Sequence, residues 1–215
     1  MFITLEGGEG SGKTSVAKII YDELIKYKDC ILINDPGGTD TGMSIRKILL
    51  DPKFKNHKIT ELYLYHASRA QLVQERIIPA LKEDQIVICD RFFDSTHVYQ
   101  GKIRGWDRDC LEFFDNVTNG FIIPNITILC NVDAEIGLKR SLKTNSNRVN
   151  GNGADESRWE LEGLEIHKKI NAAFYDRMMY RKGLGHNIYI VDSNNRTIAA
   201  MADEVLDYIW TFIKE

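Results

Sequence analysis

Short apolar runs alternate with longer amphipathic stretches along the whole chain. The runs predict five strands, at Phe2–Glu6, Cys30–Asn34, Ile86–Asp90, Ile126–Val132 and Ile188–Val191. Their apolar residues are consecutive rather than alternating, which is typical of strands that are covered on both faces. We therefore expect a parallel sheet that lies between two layers of helices.

Helical spacing fills most of the sequence between these runs and supplies the crossovers that parallel strands need. The predicted helices are Gly12–Tyr27, Thr41–Leu50, Thr60–Lys82, Arg108–Asn119, Asp133–Leu142, Arg158–Tyr180 and Arg196–Ile213, with one more that begins near Asp94 or Ser95. Strands and helices together indicate a single α/β domain over residues 1–215, with a five-stranded parallel sheet flanked by helices.

One segment interrupts this pattern. Residues from about 143 to 158 are polar throughout and rich in Asn, Ser and Gly, so they predict a mobile surface loop. A tolerated insertion and an active-site lid both fit this composition, and the sequence alone does not choose between them.

Composition narrows the functional classes. The chain has 215 residues, of which 43% are hydrophobic, and this is enough apolar bulk for a folded core. A net charge of −3 argues against a nucleic-acid or polybasic membrane binder. The chain opens directly on a predicted strand, without the pattern of a secretory signal, and its four cysteines show no C-x-x-C spacing. We expect a cytoplasmic protein without nucleic-acid or membrane partners.

The segment from Gly7 to Thr14 has the G-x-x-x-x-G-K-[ST] pattern, and it stands between a predicted strand and a predicted helix. In such a phosphate-binding loop (P-loop) the backbone N–H groups surround phosphates, the Lys reaches the β- and γ-phosphates, and the hydroxyl ligates Mg²⁺. The fold predicted is therefore a P-loop NTPase-type three-layer fold. The expected ATP-binding residues are Gly7, Gly8, Gly10, Ser11, Gly12, Lys13, Thr14 and Ser15.

Other motifs separate the P-loop classes. Asp90 ends the third predicted strand and is followed by Arg91, and the sequence contains no Asn-Lys-x-Asp guanine motif, so a GTPase switch is excluded. A motor ATPase usually has a second acidic residue where Arg91 stands. An arginine there favours an anionic acceptor, because a guanidinium fork matches a phosphate.

Four segments together resemble the thymidylate kinase family over nearly the whole chain: Glu6–Thr14, Asp35–Thr39, Ser68–Gln71 and Asp90–Gly101. The resemblance implies an ATP:dTMP phosphotransferase that makes dTDP. A kinase for another pyrimidine monophosphate, such as dUMP or a 5-modified dUMP, stays an alternative, because Asn34 and Asp35 depart from the family pattern. A regulatory nucleotide-binding domain without acceptor activity is a second alternative.

The resemblance also assigns the acceptor site. Arg91 and Arg46 would hold the dTMP phosphate, and Asp90 would lie near Mg²⁺. Tyr65 and Arg69 are four residues apart on one predicted helix face, where a ring can stack on thymine while a guanidinium donates to its O4 atom.

The Asp90–Gly101 segment and the P-loop supply the remaining contacts that the resemblance implies. Thr96 and Gln100 would read the thymine N3 atom and carbonyls. Tyr99 would crowd a ribose 2′-hydroxyl, although plain core packing also fits this residue. Glu9, inside the P-loop, would accept a hydrogen bond from the 3′-hydroxyl. The expected Mg²⁺ ligands are Thr14, Asp90 and Glu9.

The reaction joins two polyanions, so fixed cations must offset their charge. The expected catalytic residues are Lys13, Arg91, Arg148 and Arg158, because the P-loop holds no arginine and the family draws its extra cation from the lid. The family also forms homodimers, for which the predicted helices at Thr60–Lys82 and Arg108–Asn119 offer apolar surface.

Overall fold

The computed structural model describes residues 1–149 and 159–213. Five parallel strands form one sheet in the order β2-β3-β1-β4-β5. Their bounds are β1 (Phe2–Glu6), β2 (Cys30–Asn34), β3 (Ile86–Asp90), β4 (Ile126–Asn131) and β5 (Ile188–Asp192). The central strand β1 aligns Leu5 with Asp90 of β3 and with Ile128 of β4. The predicted five-stranded parallel sheet is confirmed.

Helices cover both faces of the sheet. They are α1 (Lys13–Leu24), α2 (Asp40–Leu50), α3 (Lys58–Leu72), α4 (Ile78–Lys82), α5 (Phe93–Thr96), α6 (Arg108–Asn119), α7 (Ala134–Val149), α8 (Leu164–Gly183) and α9 (Ile198–Ile213). Two π-helical segments, Val73–Ile77 and His97–Ile103, continue α3 and α5, and a 3-10 turn spans Glu160–Glu162. No helix in the described ranges is long and apolar enough to span a membrane.

The alternation of side chains along β1 divides the core into two sides. Ile3 and Leu5 pack with Val16 of α1 and with residues of α9, whereas Phe2 belongs to a cluster with Leu72 on the opposite face. Full burial of each such side chain contributes about 1.5–3 kcal/mol to folding. A sheet packed on both faces in this way keeps its carboxyl edge in a fixed position.

Helix α6 was predicted correctly at both ends, and local sequence signals explain why it begins and ends where it does. The carboxylate of Asp107 accepts hydrogen bonds from the backbone N–H groups of Asp109 and Cys110, so α6 begins at Arg108. Gly120 follows the helix with a φ of 59°, a left-handed conformation that glycine adopts without strain.

One predicted helix is interrupted, and two predicted helix boundaries were wrong. The predicted helix Thr60–Lys82 is interrupted by the π-helical segment Val73–Ile77. Helix α7 continues to Val149, so the first part of the predicted loop at 143–158 is helical, because a helix that has already formed extends at little cost. Helix α8 begins at Leu164 rather than at Arg158, since Gly163 has a φ of 84° and ends the preceding turn.

Candidate active site

The P-loop joins β1 to α1 and depends on glycine for its shape. Gly10 has a φ of 67°, and a Cβ atom there would lie 1.9 Å from the backbone oxygen of Gly137 in α7. Gly12 has a φ of 84° and directly precedes the first residue of α1. Lys13 reaches back across the loop, where its Nζ atom donates a hydrogen bond to the carbonyl oxygen of Gly8 over 3.3 Å. The ammonium group of Lys13 therefore lies across the loop, at the N-terminus of α1.

Two residues at this sheet edge fit a divalent cation. The Thr14 hydroxyl donates a hydrogen bond to Asp90 Oδ2, while Asp90 Oδ1 is buried and has no hydrogen-bond partner in the described part of the chain. A hydroxyl and a carboxylate are the oxygen ligands that Mg²⁺ prefers. Residues 1–149 and 159–213 contain no cluster of three His, Cys, Asp or Glu side chains fit for a metal. Such an ion would therefore depend on phosphate oxygens and water for its other ligands.

Arg91 connects the end of β3 with the P-loop. Its φ of 68° is unusual for a residue with a side chain, and such strain is often found at functional sites. Its guanidinium donates to Ser95 Oγ over 3.1 Å, to Glu9 Oε1 over 3.2 Å and to the Tyr99 hydroxyl over 3.2 Å. Burial works against its charge, yet Tyr99 and Glu9 raise the pKa of Arg91 above its usual value. Arg91 is therefore a fixed cation.

Glu6 holds the backbone that follows Arg91. Its carboxylate accepts hydrogen bonds from the backbone N–H of Phe92 over 2.8 Å, and from the N–H and hydroxyl of Ser95 over 3.3 and 2.6 Å. Burial and the nearby charge of Asp94 raise the pKa of Glu6 to about 7. No role was predicted for Glu6. A carboxylate within an apolar strand could have indicated one, because buried charges need partners.

Glu9 lies where the P-loop meets the acceptor pocket. The Tyr99 hydroxyl donates to Glu9 Oε1 over 2.5 Å. Burial opposes ionisation, but His167, Arg91 and Lys13 outweigh it and lower the pKa of Glu9 to about 2. Within the described residues these contacts place Glu9 with Arg91 and Tyr99 rather than with Thr14 and Asp90. Its expected role as a Mg²⁺ ligand therefore gains no support from the geometry.

The predicted base-binding residues form the floor of the pocket. Arg69 is only 1% exposed. It donates to Asp35 Oδ2 over 2.6 Å, to Thr96 Oγ1 over 2.6 Å and to Asp115 Oδ1 over 3.4 Å. Burial disfavours its charge, but Asp35 and Asp115 raise the pKa of Arg69. Asp35, a departure from the family pattern, is thus an anchor for this arginine.

Gln100 is held in the same way, because its side-chain amide donates to Glu61 Oε1 over 2.8 Å. Arg46 donates to the carbonyl oxygen of Pro36 over 2.9 Å.

The two histidines near the pocket have structural partners: His97 pairs with Asp115 over 2.8 Å, and His66 stacks on Phe114.

One cavity of about 840 Å³ contains both halves of the predicted site. The predicted residues that line it are Glu9, Gly10, Gly12, Lys13, Thr14, Ser15, Arg46, Tyr65, Arg69, Asp90, Arg91, Thr96, Tyr99 and Gln100. Gly7, Gly8 and Ser11 lie in the same loop outside that lining. The backbone of Arg148 is in α7, while its side chain and the whole of Arg158 lie outside the described residues. Their catalytic role stays a prediction.

A P-loop and an arginine-lined pocket that open into one cavity define a P-loop phosphotransferase. The family model for thymidylate kinase matches residues 5–205. The chain is 42% identical over 178 residues to a thymidylate kinase of Desulfosudis oleivorans, covering 82% of each chain. It is 43% identical over 178 residues to one of Desulforapulum autotrophicum, covering 81% of this chain and 77% of the other.

A solved structure agrees with these matches. The crystal structure of thymidylate kinase from Ehrlichia chaffeensis superposes with a TM-score of 0.75 at 26% identity, covering 98% of each chain. The chain belongs to the thymidylate kinase family, whose enzymes phosphorylate dTMP to dTDP with ATP as co-substrate. The predicted family, fold and enzyme class are confirmed, and the dUMP alternative is not favoured.

Proposed function

We propose that this protein transfers the γ-phosphoryl group of ATP to the phosphate of dTMP within the 840 Å³ cavity, and that the predicted residues bind and align the two nucleotides there. The observation that carries the proposal is the continuity of the cavity: its walls include Lys13 and Thr14 of the P-loop and also Tyr65 and Gln100 of the base pocket. Donor and acceptor can therefore meet without leaving the protein, and water can be excluded from between them.

The donor half would hold ATP by its phosphates. The backbone N–H groups of the P-loop and the N-terminus of α1 favour anions, and Lys13 adds a full positive charge beside them. Thr14 and Asp90 would hold Mg²⁺. When bound, Mg²⁺ supplies charge that offsets the β- and γ-phosphates.

The acceptor half would hold dTMP between charge and aromatic surface. Arg91 and Arg46 would bind its phosphate, and Tyr65 would stack on thymine. Gln100, Thr96 and Arg69 would bond to the edge of the base. Because Arg69 and Gln100 are already fixed by carboxylates, little side-chain entropy is lost when the base binds.

In the chemical step an oxygen of the dTMP phosphate forms a bond to the γ-phosphorus, and the bond from that phosphorus to the β,γ-bridging oxygen breaks. ADP leaves with the electron pair of that bond. The acceptor oxygen is already anionic, so no general base is required. Lys13 and Arg91 would offset the charge and align the groups, and Arg148 or Arg158 would add a further cation.

A coupled assay for ADP release tests the proposal. With Mg·ATP as donor, we compare dTMP, dUMP, dCMP and dGMP with a reaction that lacks an acceptor. ADP release should depend on the acceptor and should be fastest with dTMP. Equal ADP release with and without dTMP would show a nucleotide-binding domain instead of a kinase.

We further propose that the protein forms a homodimer and acts in the cytoplasm. Helices α3 and α6 pack together and leave Tyr63, Phe113 and Val117 exposed by 53%, 64% and 65%. An apolar surface of this kind usually marks an interface. The buried, unpaired thiols of Cys30, Cys89 and Cys130 suit a reducing compartment.

A further inference from the structure

His167 of α8 is buried next to the acceptor half of the cavity, and no role was predicted for it from the sequence. Its Nε2 atom lies 3.1 Å from the carbonyl oxygen of Trp159, and its Nδ1 atom lies 3.5 Å from Glu9 Oε2. Both neighbours are hydrogen-bond acceptors, so each contact is favourable when an N–H points at it. The imidazole therefore bridges the carboxylate of Glu9 and the main-chain carbonyl of Trp159, two groups that are far apart in the sequence.

The Trp159 end of this bridge is firmly held. The Trp159 side chain is 5% exposed, and its ring centroid lies 4.7 Å from that of Tyr99. The guanidinium carbon of Arg104 lies 4.7 Å from the centroid of the Trp159 ring, which is close enough for a cation–π contact. A carbonyl anchored in this way fixes the orientation of the imidazole, and the imidazole in turn limits where the Glu9 carboxylate can lie.

The two oxygens of Glu9 differ in their surroundings. Oε1 accepts from Tyr99 over 2.5 Å and from Arg91 over 3.2 Å. Oε2 is buried and accepts no hydrogen bond of ordinary length from the described residues, since the 3.5 Å to His167 is longer than such a bond. Glu9 lines the cavity, and a buried anionic oxygen with spare acceptor capacity on such a residue is a favourable partner for a ligand hydroxyl.

We propose that His167 is a positioning residue that holds Glu9 so that its Oε2 atom accepts a hydrogen bond from the 3′-hydroxyl of the acceptor nucleotide. The inference rests on the proposed function, because it requires dTMP in this half of the cavity. It makes His167, which need not touch the nucleotide, a determinant of selectivity for a 3′-hydroxyl over a 3′-hydrogen.

The test compares two nucleotides that differ only at this position. Dissociation constants for dTMP and for 3′-deoxythymidine 5′-monophosphate are measured by titration calorimetry on the wild type and on His167→Ala. Wild type should bind dTMP more tightly. In His167→Ala the affinity for dTMP should fall by about tenfold or more, the loss expected for a hydrogen bond to a charged group, while the affinity for the 3′-deoxy analogue changes little.

Two conservative variants separate positioning from packing and keep the test valid if the alanine variant folds poorly. Asparagine in His167→Asn can place an N–H near the position of Nδ1, so it should retain much of the 3′-selectivity. Glutamine in His167→Gln can replace only the contact with Trp159, so it should lose the selectivity. Lys169→Ala, an exposed change two residues away on α8, is the control for effects on the helix.

Equal loss of affinity for both nucleotides in His167→Ala, or unchanged affinity for both, would overturn the inference. A wild type that binds the two nucleotides equally would overturn it as well. These results differ from a failure of the proposed function, which would appear as a wild type that binds neither nucleotide and releases no ADP when dTMP is added.

Discussion

Arg69 donates a hydrogen bond from Nε to Asp35 Oδ2 over 2.6 Å, and side-chain exposures of 1% and 0% leave neither residue in contact with bulk solvent. The pair joins the end of β2 to α3 beneath the acceptor pocket. Asp115 of α6 lies on the other side of the same guanidinium, 3.4 Å away. Because the charge is balanced from two sides, Arg69 can remain ionised in the protein interior.

Replacement of Asp35 by Asn should leave this buried guanidinium undercompensated. We expect Asp35→Asn to lower the free energy of unfolding by about 3 kcal/mol, as broken buried pairs do, and to raise the KM for dTMP. Urea unfolding at pH 7 measures the first effect. Asp22→Asn is the control, because Asp22 pairs with Lys18 at a side-chain exposure of 49% and should change stability by less than about 1 kcal/mol. Equal changes in the two variants would contradict the role given to Asp35.

Lys13→Ala should remove a cation from beside the transferred phosphoryl group. Turnover should fall by at least about a hundredfold, while the fold and its melting temperature stay close to wild type. The coupled ADP assay and thermal unfolding test this together. Lys18→Ala, at an exposed site on the same helix, should retain full turnover. An active Lys13→Ala enzyme would refute the assignment.

Asp90→Asn should weaken the cation site, because an amide oxygen carries less negative charge than a carboxylate. We expect the Mg²⁺ concentration for half-maximal rate to rise by about tenfold or more, with a smaller change in dTMP affinity. Asp192→Asn, at the end of β5 on the same sheet edge, is the matched control and should give the wild-type Mg²⁺ profile. If the Mg²⁺ profile of Asp90→Asn equals that of wild type, Asp90 does not act near the ion.

Much of the fold could be predicted because its signals are local. Helix α6 was predicted at both ends because Asp107 caps it and Gly120 ends it. The π-helical segment Val73–Ile77 could not be predicted, because a shift from i+4 to i+5 hydrogen bonding leaves no period in the sequence. The extension of α7 to Val149 was missed because the sequence from Lys143 to Arg148 contains no apolar residue and so shows no helical period.

In the candidate site, too, the features with local sequence signals could be predicted and those that depend on long-range contacts could not. The P-loop residues are contiguous, so their spacing alone predicts their chemistry. His167 reaches Glu9 only because α8 packs against the π-helical segment that carries Tyr99, and no short motif records that contact. Glu6 likewise acts through Phe92 and Ser95, which are brought to it by the pairing of β1 with β3.

The exposed apolar surface of α3 and α6 predicts the oligomeric state. Phe113→Asp places a charge on this surface at a position that is 64% exposed, so the protein should sediment as a monomer where wild type sediments as a dimer. Leu184→Asp makes the same chemical change at a 61% exposed leucine after α8 and should leave the dimer intact. Dimers of equal stability in both variants would place the interface elsewhere.

Glu6 predicts a pH dependence of stability whose sign follows from its environment. Its pKa is about 7 in the folded protein, against an ordinary value of 4.5, so between pH 4.5 and 7 the folded state binds more protons than the unfolded state. Stability from this group is complete below pH 4.5 and is lost as the pH rises through 7, by about 3 kcal/mol at 1.36 kcal/mol per pKa unit. Glu9, with a pKa of about 2 against an ordinary value of 4.5, acts in the opposite direction: its stabilisation rises as the pH passes 4.5 and is complete above about pH 5.5.

Glu6→Gln isolates this effect, because a glutamine amide can still accept hydrogen bonds from the backbone N–H groups of Phe92 and Ser95 but does not titrate. We expect the free energy of unfolding of wild type to fall between pH 5 and pH 7 relative to that of Glu6→Gln, in urea titrations at matched ionic strength. Glu75→Gln, an exposed change outside the cavity, should follow the wild-type curve. Parallel curves for wild type and Glu6→Gln would mean that Glu6 ionises in the folded protein as it does in the unfolded chain, and that its contacts with Phe92 and Ser95 offset the whole cost of burial.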